Sequence, residues 1–158
     1  MKTPYLNTRN DPAFRFLGVP TLIRSAGDNT GGAFCLIEHW EMPPGFQTPH
    51  HLHHREDESF YVLEGEVAFL CDGKWMKGGP GTWVFGPREI SHGFQVIGSG
   101  PARMLILCTP AGFEHFVLEQ RMPIDQPPSP PDIEKLMALA AQNQIDILGP
   151  LPPLPENF

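Results

Sequence analysis

Glycine and proline together supply 35 of the 158 residues (16 and 19) and are spread along the whole chain. That is nearly twice the roughly 12% of ordinary usage. Both residues break helices, so the middle of such a chain cannot hold long ones. Short β-branched and aromatic runs lie between the breakers. They predict strands at 20–25, 33–41, 46–53, 59–64, 66–71, 74–77, 82–85, 92–97 and 102–109. Asp72-Gly73 separates two of these runs and suits a type I′ hairpin turn. Many short strands at this spacing predict an all-β sandwich or closed barrel.

At this length one domain is expected, and the pattern divides it. Residues 1–19 read as an N-terminal extension, 20–110 as the barrel and 111–158 as a helical, proline-rich tail. A short helix is expected at 112–121, where Phe113, Phe116 and Val117 share a helical stripe. In the tail, Ser129-Pro130-Pro131-Asp132 reads as a helix start with Ser129 as the cap. Ile133, Leu136, Met137 and Ala140 then line one face. That tail helix suits simple packing on the barrel, a lid over its mouth or an arm reaching to a second subunit.

Charge and cysteine narrow the partners. Eleven basic and 18 acidic residues give a formal charge of −7. Such a chain repels phosphate backbones, so no nucleic-acid partner is expected. No apolar run approaches a membrane span, and the first residues do not read as a secretory signal. The three cysteines, Cys35, Cys71 and Cys108, are odd in number and form no CxxC pair. They read as buried thiols in a reducing cytoplasm. Exposed strand edges would need covering, which makes a homodimer the expected assembly.

Five of the seven histidines carry the chemistry or sit beside it. His51 and His53 are two apart, so on a strand their imidazoles share a face. A turn at 54–57 would let Glu58 open the next strand, and His92 opens a later one after the turn at 86–89. Three neutral imidazoles and a carboxylate make a reasonable set for a divalent metal. An isolated HxH pair is more often a surface or hydrogen-bonded pair. By parity His50 and His54 face away or sit on the rim, Glu56 and Asp57 read as a solvated turn, and His39 and His115 as ordinary histidines. Phe60 and Val62 share the face of Glu58, and Phe94 and Val96 that of His92. Phe34, Leu36 and Trp40 share one face of their own strand. These seven either line an apolar, aromatic substrate pocket or simply fill a small barrel.

Gly45, His51-Leu52-His53, Glu58 and Gly65 together resemble the first motif of the cupins at every fixed position. Gly81, Pro87 and His92 resemble the second. Two positions depart: Glu89 stands where the family usually has glycine, and Val96 where it usually has asparagine. The resemblance implies a double-stranded β-helix, or jelly-roll, barrel with short C-terminal helices. It also implies one divalent transition metal (iron, manganese, nickel, cobalt, copper or zinc) held by His51, His53, Glu58 and His92. Four protein ligands leave two positions on a six-coordinate ion, which suits a bidentate substrate or a monodentate one plus dioxygen. Thr109-Pro110-Ala111-Gly112-Phe113-Glu114, followed by the proline-rich tail, is similar to the small cupins grouped with quercetin 2,3-dioxygenases. That likeness implies a dioxygenase of small aromatic or enolisable molecules, with Glu58 as both ligand and base. The alternatives are a non-redox metal enzyme (isomerase, cyclase, decarboxylase or lyase) and a small-molecule-binding module.

Overall fold

The computed structural model describes residues 1–158. Its strands are β1 (Phe14–Phe16), β2 (Val19–Ser25), β3 (Cys35–Met42), β4 (His50–His53), β5 (Asp57–Glu64) and β6 (Val67–Cys71). They continue as β7 (Lys74–Gly78), β8 (Trp83–Gly86), β9 (His92–Val96), β10 (Ala102–Thr109), β11 (Met122–Pro123) and β12 (Ile145–Gly149). Three short helices complete the chain: α1 (Gly27–Thr30), α2 (Phe113–Glu119) and α3 (Ile133–Gln142). None is long and apolar enough to cross a membrane.

The strands form two antiparallel sheets. One has the order β11-β1-β2-β3-β10-β5-β8, the other β12-β4-β9-β6-β7. This is the expected jelly-roll, with the apolar core between its sheets. Val62 and Met104 from the larger sheet and Val67, Phe69 and Val96 from the smaller one are almost fully buried there. Two tight turns show how local chemistry sets the connections. Asp72 and Gly73 have φ of 50° and 71°, the positive pair that a type I′ turn between β6 and β7 requires. Gly65, after β5, has φ of 82°, and a Cβ there would lie 2.7 Å from the Ala102 Cα and the Pro101 oxygen. Only glycine fits both the conformation and the space.

The expected division at residues 20 and 110 does not describe the sheets. β1 lies within 1–19 yet pairs with β2, and β11 from the tail pairs with β1. β12, also from the tail, pairs with β4 in the smaller sheet. The extension and the tail therefore complete the sheets rather than flank them. Backbone ladders explain why: β4 and β1 each need a neighbour for donors that would otherwise face only water or apolar side chains.

The tail helix also starts later than Ser129. Asp132 is its cap, and its carboxylate accepts the Lys135 N–H at 3.1 Å. Pro131 disfavours helical geometry at Pro130, so the helix begins only after both prolines. Its buried face is Leu136 and Ala140, with Leu139 half-buried, while Ile133 and Met137 are exposed. α3 packs on its own barrel, in contact with α2 and β12.

Candidate metal centre

Two sheets meet at the site. β4 presents His51 and His53 from one face, and His51 pairs in register with His92 of β9. Glu58 comes from β5 in the opposite sheet, where it pairs with Gly86. Residues 54–56 therefore carry the chain across from one sheet to the other. Glu58 stands near the start of the next strand, as the spacing predicts, but that strand belongs to the other sheet.

One ligand atom from each of His51, His53, Glu58 and His92 lies within 4.8 Å of all the others. Glu58 Oε2 is 2.8 Å from His92 Nε2, 3.3 Å from His53 Nε2 and 3.7 Å from His51 Nε2. All four side chains are buried or nearly so. The other ring nitrogens point outward to protein acceptors. His51 Nδ1 lies 2.8 Å from the Pro49 carbonyl oxygen and His92 Nδ1 2.9 Å from that of Ile90. A carbonyl only accepts, so each Nδ1 carries the proton and each Nε2 lone pair faces the cluster. His53 Nδ1 is 3.4 Å from Glu56 Oε2. Its Nε2 is buried and, although close to Glu58, lacks hydrogen-bonding geometry to any partner. A buried polar atom left this way is costly unless something else takes it up. Three Nε2 nitrogens, the orphaned one of His53 among them, and a carboxylate oxygen are a donor set that a divalent transition metal takes.

The electrostatics of the metal-free cluster match. Burial opposes charge on Glu58, but the neighbouring His53 charge and the three imidazole contacts hold its carboxyl well below the usual range. Burial likewise opposes protonation of His53, yet the charge of Glu58 and the Glu56 contact push it up to about 9. In His51 burial wins and its pKa falls. A metal taken up by His53 would compete with the proton these carboxylates favour there.

Glu56 is the residue that sequence reading missed. It is buried rather than solvated and braces His53. Asp57, its neighbour, is half-buried and paired with Arg88 at 2.8 Å. His54 does face away from the cluster. It bridges Glu89 and Asp146, each at 2.9 Å, which ties the 86–89 turn to β12. Glu89 has a positive φ of 65°, the left-handed region that glycine adopts most readily. Its carboxylate is exposed and pairs with His54.

A cavity of about 60 Å³, partly open to solvent, adjoins the cluster. His51 and Glu58 form its polar end, and Phe46, Phe60, Phe94, Phe113 and Phe116 supply aromatic wall. Leu136, Ile145 and Ile147 from the tail close one side. Of the expected pocket residues, Phe60 and Phe94 line this space. Val62 and Val96 are fully buried in the core and do not reach it. Phe34, Leu36 and Trp40 lie on the wrong face: β3 turns Cys35, Ile37 and His39 inward. The reason is Glu38, next to Leu36 and Trp40 on the outer face. It accepts hydrogen bonds from Arg24 and Arg103, both at 2.6 Å, which fixes that face outward. His39, expected to be ordinary, lines the cavity instead.

Comparison with known proteins agrees with this geometry. Residues 38–108 match the cupin domain family. A quercetin 2,3-dioxygenase of Bacillus subtilis is 31% identical over 94 residues, which is 60% of this chain and 27% of that protein. The chain therefore spans about a quarter of that relative's length. KdgF from a Halomonas species superposes with a TM-score of 0.62 at 18% identity, over 72% of this chain and 99% of that one. The polyketide cyclase RemF from Streptomyces resistomycificus superposes with a TM-score of 0.57 at 25% identity, over 68% of this chain and 80% of that one. By motif, by matched segment and by fold, this chain carries a cupin domain.

Proposed function

We propose that this protein is a metal-dependent dioxygenase of a small aromatic or enolisable substrate. The observation that carries the reading is a three-histidine, one-carboxylate cluster opening onto an aromatic cavity. The likeness to a quercetin 2,3-dioxygenase supports it. His51, His53, Glu58 and His92 are the ligands in this reading. A bound transition metal supplies Lewis acidity toward an enol or carbonyl oxygen and, if redox-active, a path for electrons between substrate and dioxygen. The phenylalanine walls offer apolar faces to an aromatic ring. Glu58 accepts the proton of the substrate hydroxyl through Oε1, the oxygen not shared with the imidazoles.

Oxygen uptake tests the reading. Protein reconstituted in turn with iron, manganese, nickel, cobalt and copper is offered flavonols, β-diketones and catechols. Substrate-dependent uptake, absent in His92→Ala, is expected. Product formed without oxygen would replace it with a non-redox reaction, which the likeness to a polyketide cyclase favours as second reading. Binding without any product would leave a ligand-binding module.

The same proposal extends to assembly as a homodimer in a reducing compartment, where the three free thiols stay reduced. The larger sheet turns Tyr61, Trp83 and Phe85 outward beside its edge strand β8, and all three are exposed. A second copy would cover them. Light scattering should give twice the monomer mass, reduced to one by Trp83→Glu; a monomeric wild type would end this part of the proposal.

A further inference from the structure

His39 is the one titratable side chain lining the cavity that the proposed metal set leaves unused. It projects from β3 in the larger sheet, and its buried ring stacks on Phe16 with centroids 6.0 Å apart. Nδ1 makes the ring's one hydrogen bond, with Thr21 Oγ1 at 2.8 Å. A threonine hydroxyl has a single proton, and Thr21 donates it to the Val19 carbonyl oxygen at 3.1 Å. The hydroxyl can then only accept from His39, so Nδ1 carries the ring proton and Nε2 is left a bare acceptor. Burial, against the charges of Glu58 and Glu38, pushes His39 down to about 4, so the ring stays neutral at pH 7. Most of the surrounding wall is phenylalanine and aliphatic carbon, with Thr48, His51 and Glu58 its other polar side chains, and Nε2 makes no hydrogen bond to any of them.

We infer that His39 Nε2 is a second polar anchor of the cavity, accepting a hydrogen bond from a hydroxyl that the substrate carries apart from its metal-binding oxygen. The inference rests on the aromatic-substrate reading above and narrows its class to hydroxylated aromatic molecules. A site built to accept from a hydroxyl discriminates against analogues lacking it, because its buried acceptor is then left unpaired. Thr21 is the positioning residue that selects the tautomer.

Two measurements test this on the full chain. Zinc-loaded protein, which cannot turn over by redox chemistry, is titrated with quercetin and with 3-hydroxyflavone. Both keep the same chelating oxygens, but only quercetin carries further hydroxyls. Wild type should prefer quercetin by about tenfold, one hydrogen bond's worth. His39→Leu should abolish the preference by weakening quercetin alone, and His39→Gln, which keeps an acceptor near Nε2, should restore part of it. Equal weakening of both compounds, or no change in either, overturns the inference. Failure of wild type to bind either compound overturns the aromatic-substrate reading and the ligand class with it. Independently of any ligand, ¹⁵N spectra of the imidazoles should show His39 protonated at Nδ1 and bare at Nε2. The opposite tautomer overturns the inference even where the flavonols bind, and Thr21→Val should mix the two forms.

Discussion

The cavity has an imidazole at two places, and the two are held differently. At the cluster, His51 and His92 give their Nδ1 protons to backbone carbonyls two residues earlier in the chain. His39 faces a side-chain hydroxyl instead. A carbonyl accepts and does nothing else, so it fixes the tautomer through the fold itself. A hydroxyl can donate or accept, so it fixes the tautomer only through where its own proton goes. Backbone just ahead of β4 and β9 thus sets two of the candidate ligand nitrogens, while one replaceable side chain sets the distant acceptor. The metal end is built for permanence and the far end for tuning.

The largest effect that bears on this contrast is ligand loss. His51→Ala and His92→Ala should each lower metal affinity by well over a hundredfold, whereas His54→Ala should leave metal content unchanged. Elemental analysis of the purified variants checks it. If His54→Ala strips the metal and His51→Ala does not, the inward face of β4 is misassigned.

A smaller effect is expected at Glu56, which braces His53 as a side chain rather than as backbone. Glu56→Gln should weaken metal affinity by about tenfold to a hundredfold without unfolding the protein. Competition with a chromogenic chelator measures it. An unchanged affinity would mean that β4 alone orients His53.

The pH response separates the two ends. His39, held down to about 4, binds its proton more weakly than in the unfolded chain. Its contribution to stability is present above the ordinary histidine value of about 6.5 and is lost as pH falls toward 4, a loss of about 3 kcal/mol in all. His51, lowered by burial, adds to the same acid limb. His53 has the opposite sign. Held up to about 9 in the metal-free protein, it stabilises below about 6.5 and loses that contribution as pH rises to 9. Thermal melts of the metal-free protein from pH 5 to 9 should therefore fall on both sides of a maximum near neutrality. Zinc should remove the alkaline limb, because the proton on His53 is then gone. An alkaline limb that persists with zinc bound would show that His53 is not a ligand.

The parts of this site that were legible in the sequence are those fixed by local spacing. The two-residue step from His51 to His53 settles their common face, and the turn before His92 starts its strand at the right residue. Parity also placed Phe60 and Phe94 on the cavity wall. It failed on β3, where the large side chains of Phe34, Leu36 and Trp40 suggested the inner face. Glu38 decided otherwise by its pairing with Arg24 and Arg103, which come from other strands and leave no local signal. Glu56 was hidden for a similar reason. In the run Glu56-Asp57-Glu58 the spacing from His53 marks Glu58, but nothing local marks Glu56 as a brace for His53. The reach of the barrel was obscured too, since β12 joins β4 from far along the chain and its pairing is a property of the sheet rather than of Ile145–Gly149.

That late pairing has a consequence for how the centre is assembled. β4, which carries two of the imidazoles, is synthesised long before the strand that will flank it. Until β12 docks, the histidine strand keeps an open edge, and Ile145 and Ile147 have not yet closed their side of the cavity. During that interval an ion can approach from a side that later becomes wall. The order in which the chain emerges thus makes the tail the last wall of the candidate site to be built.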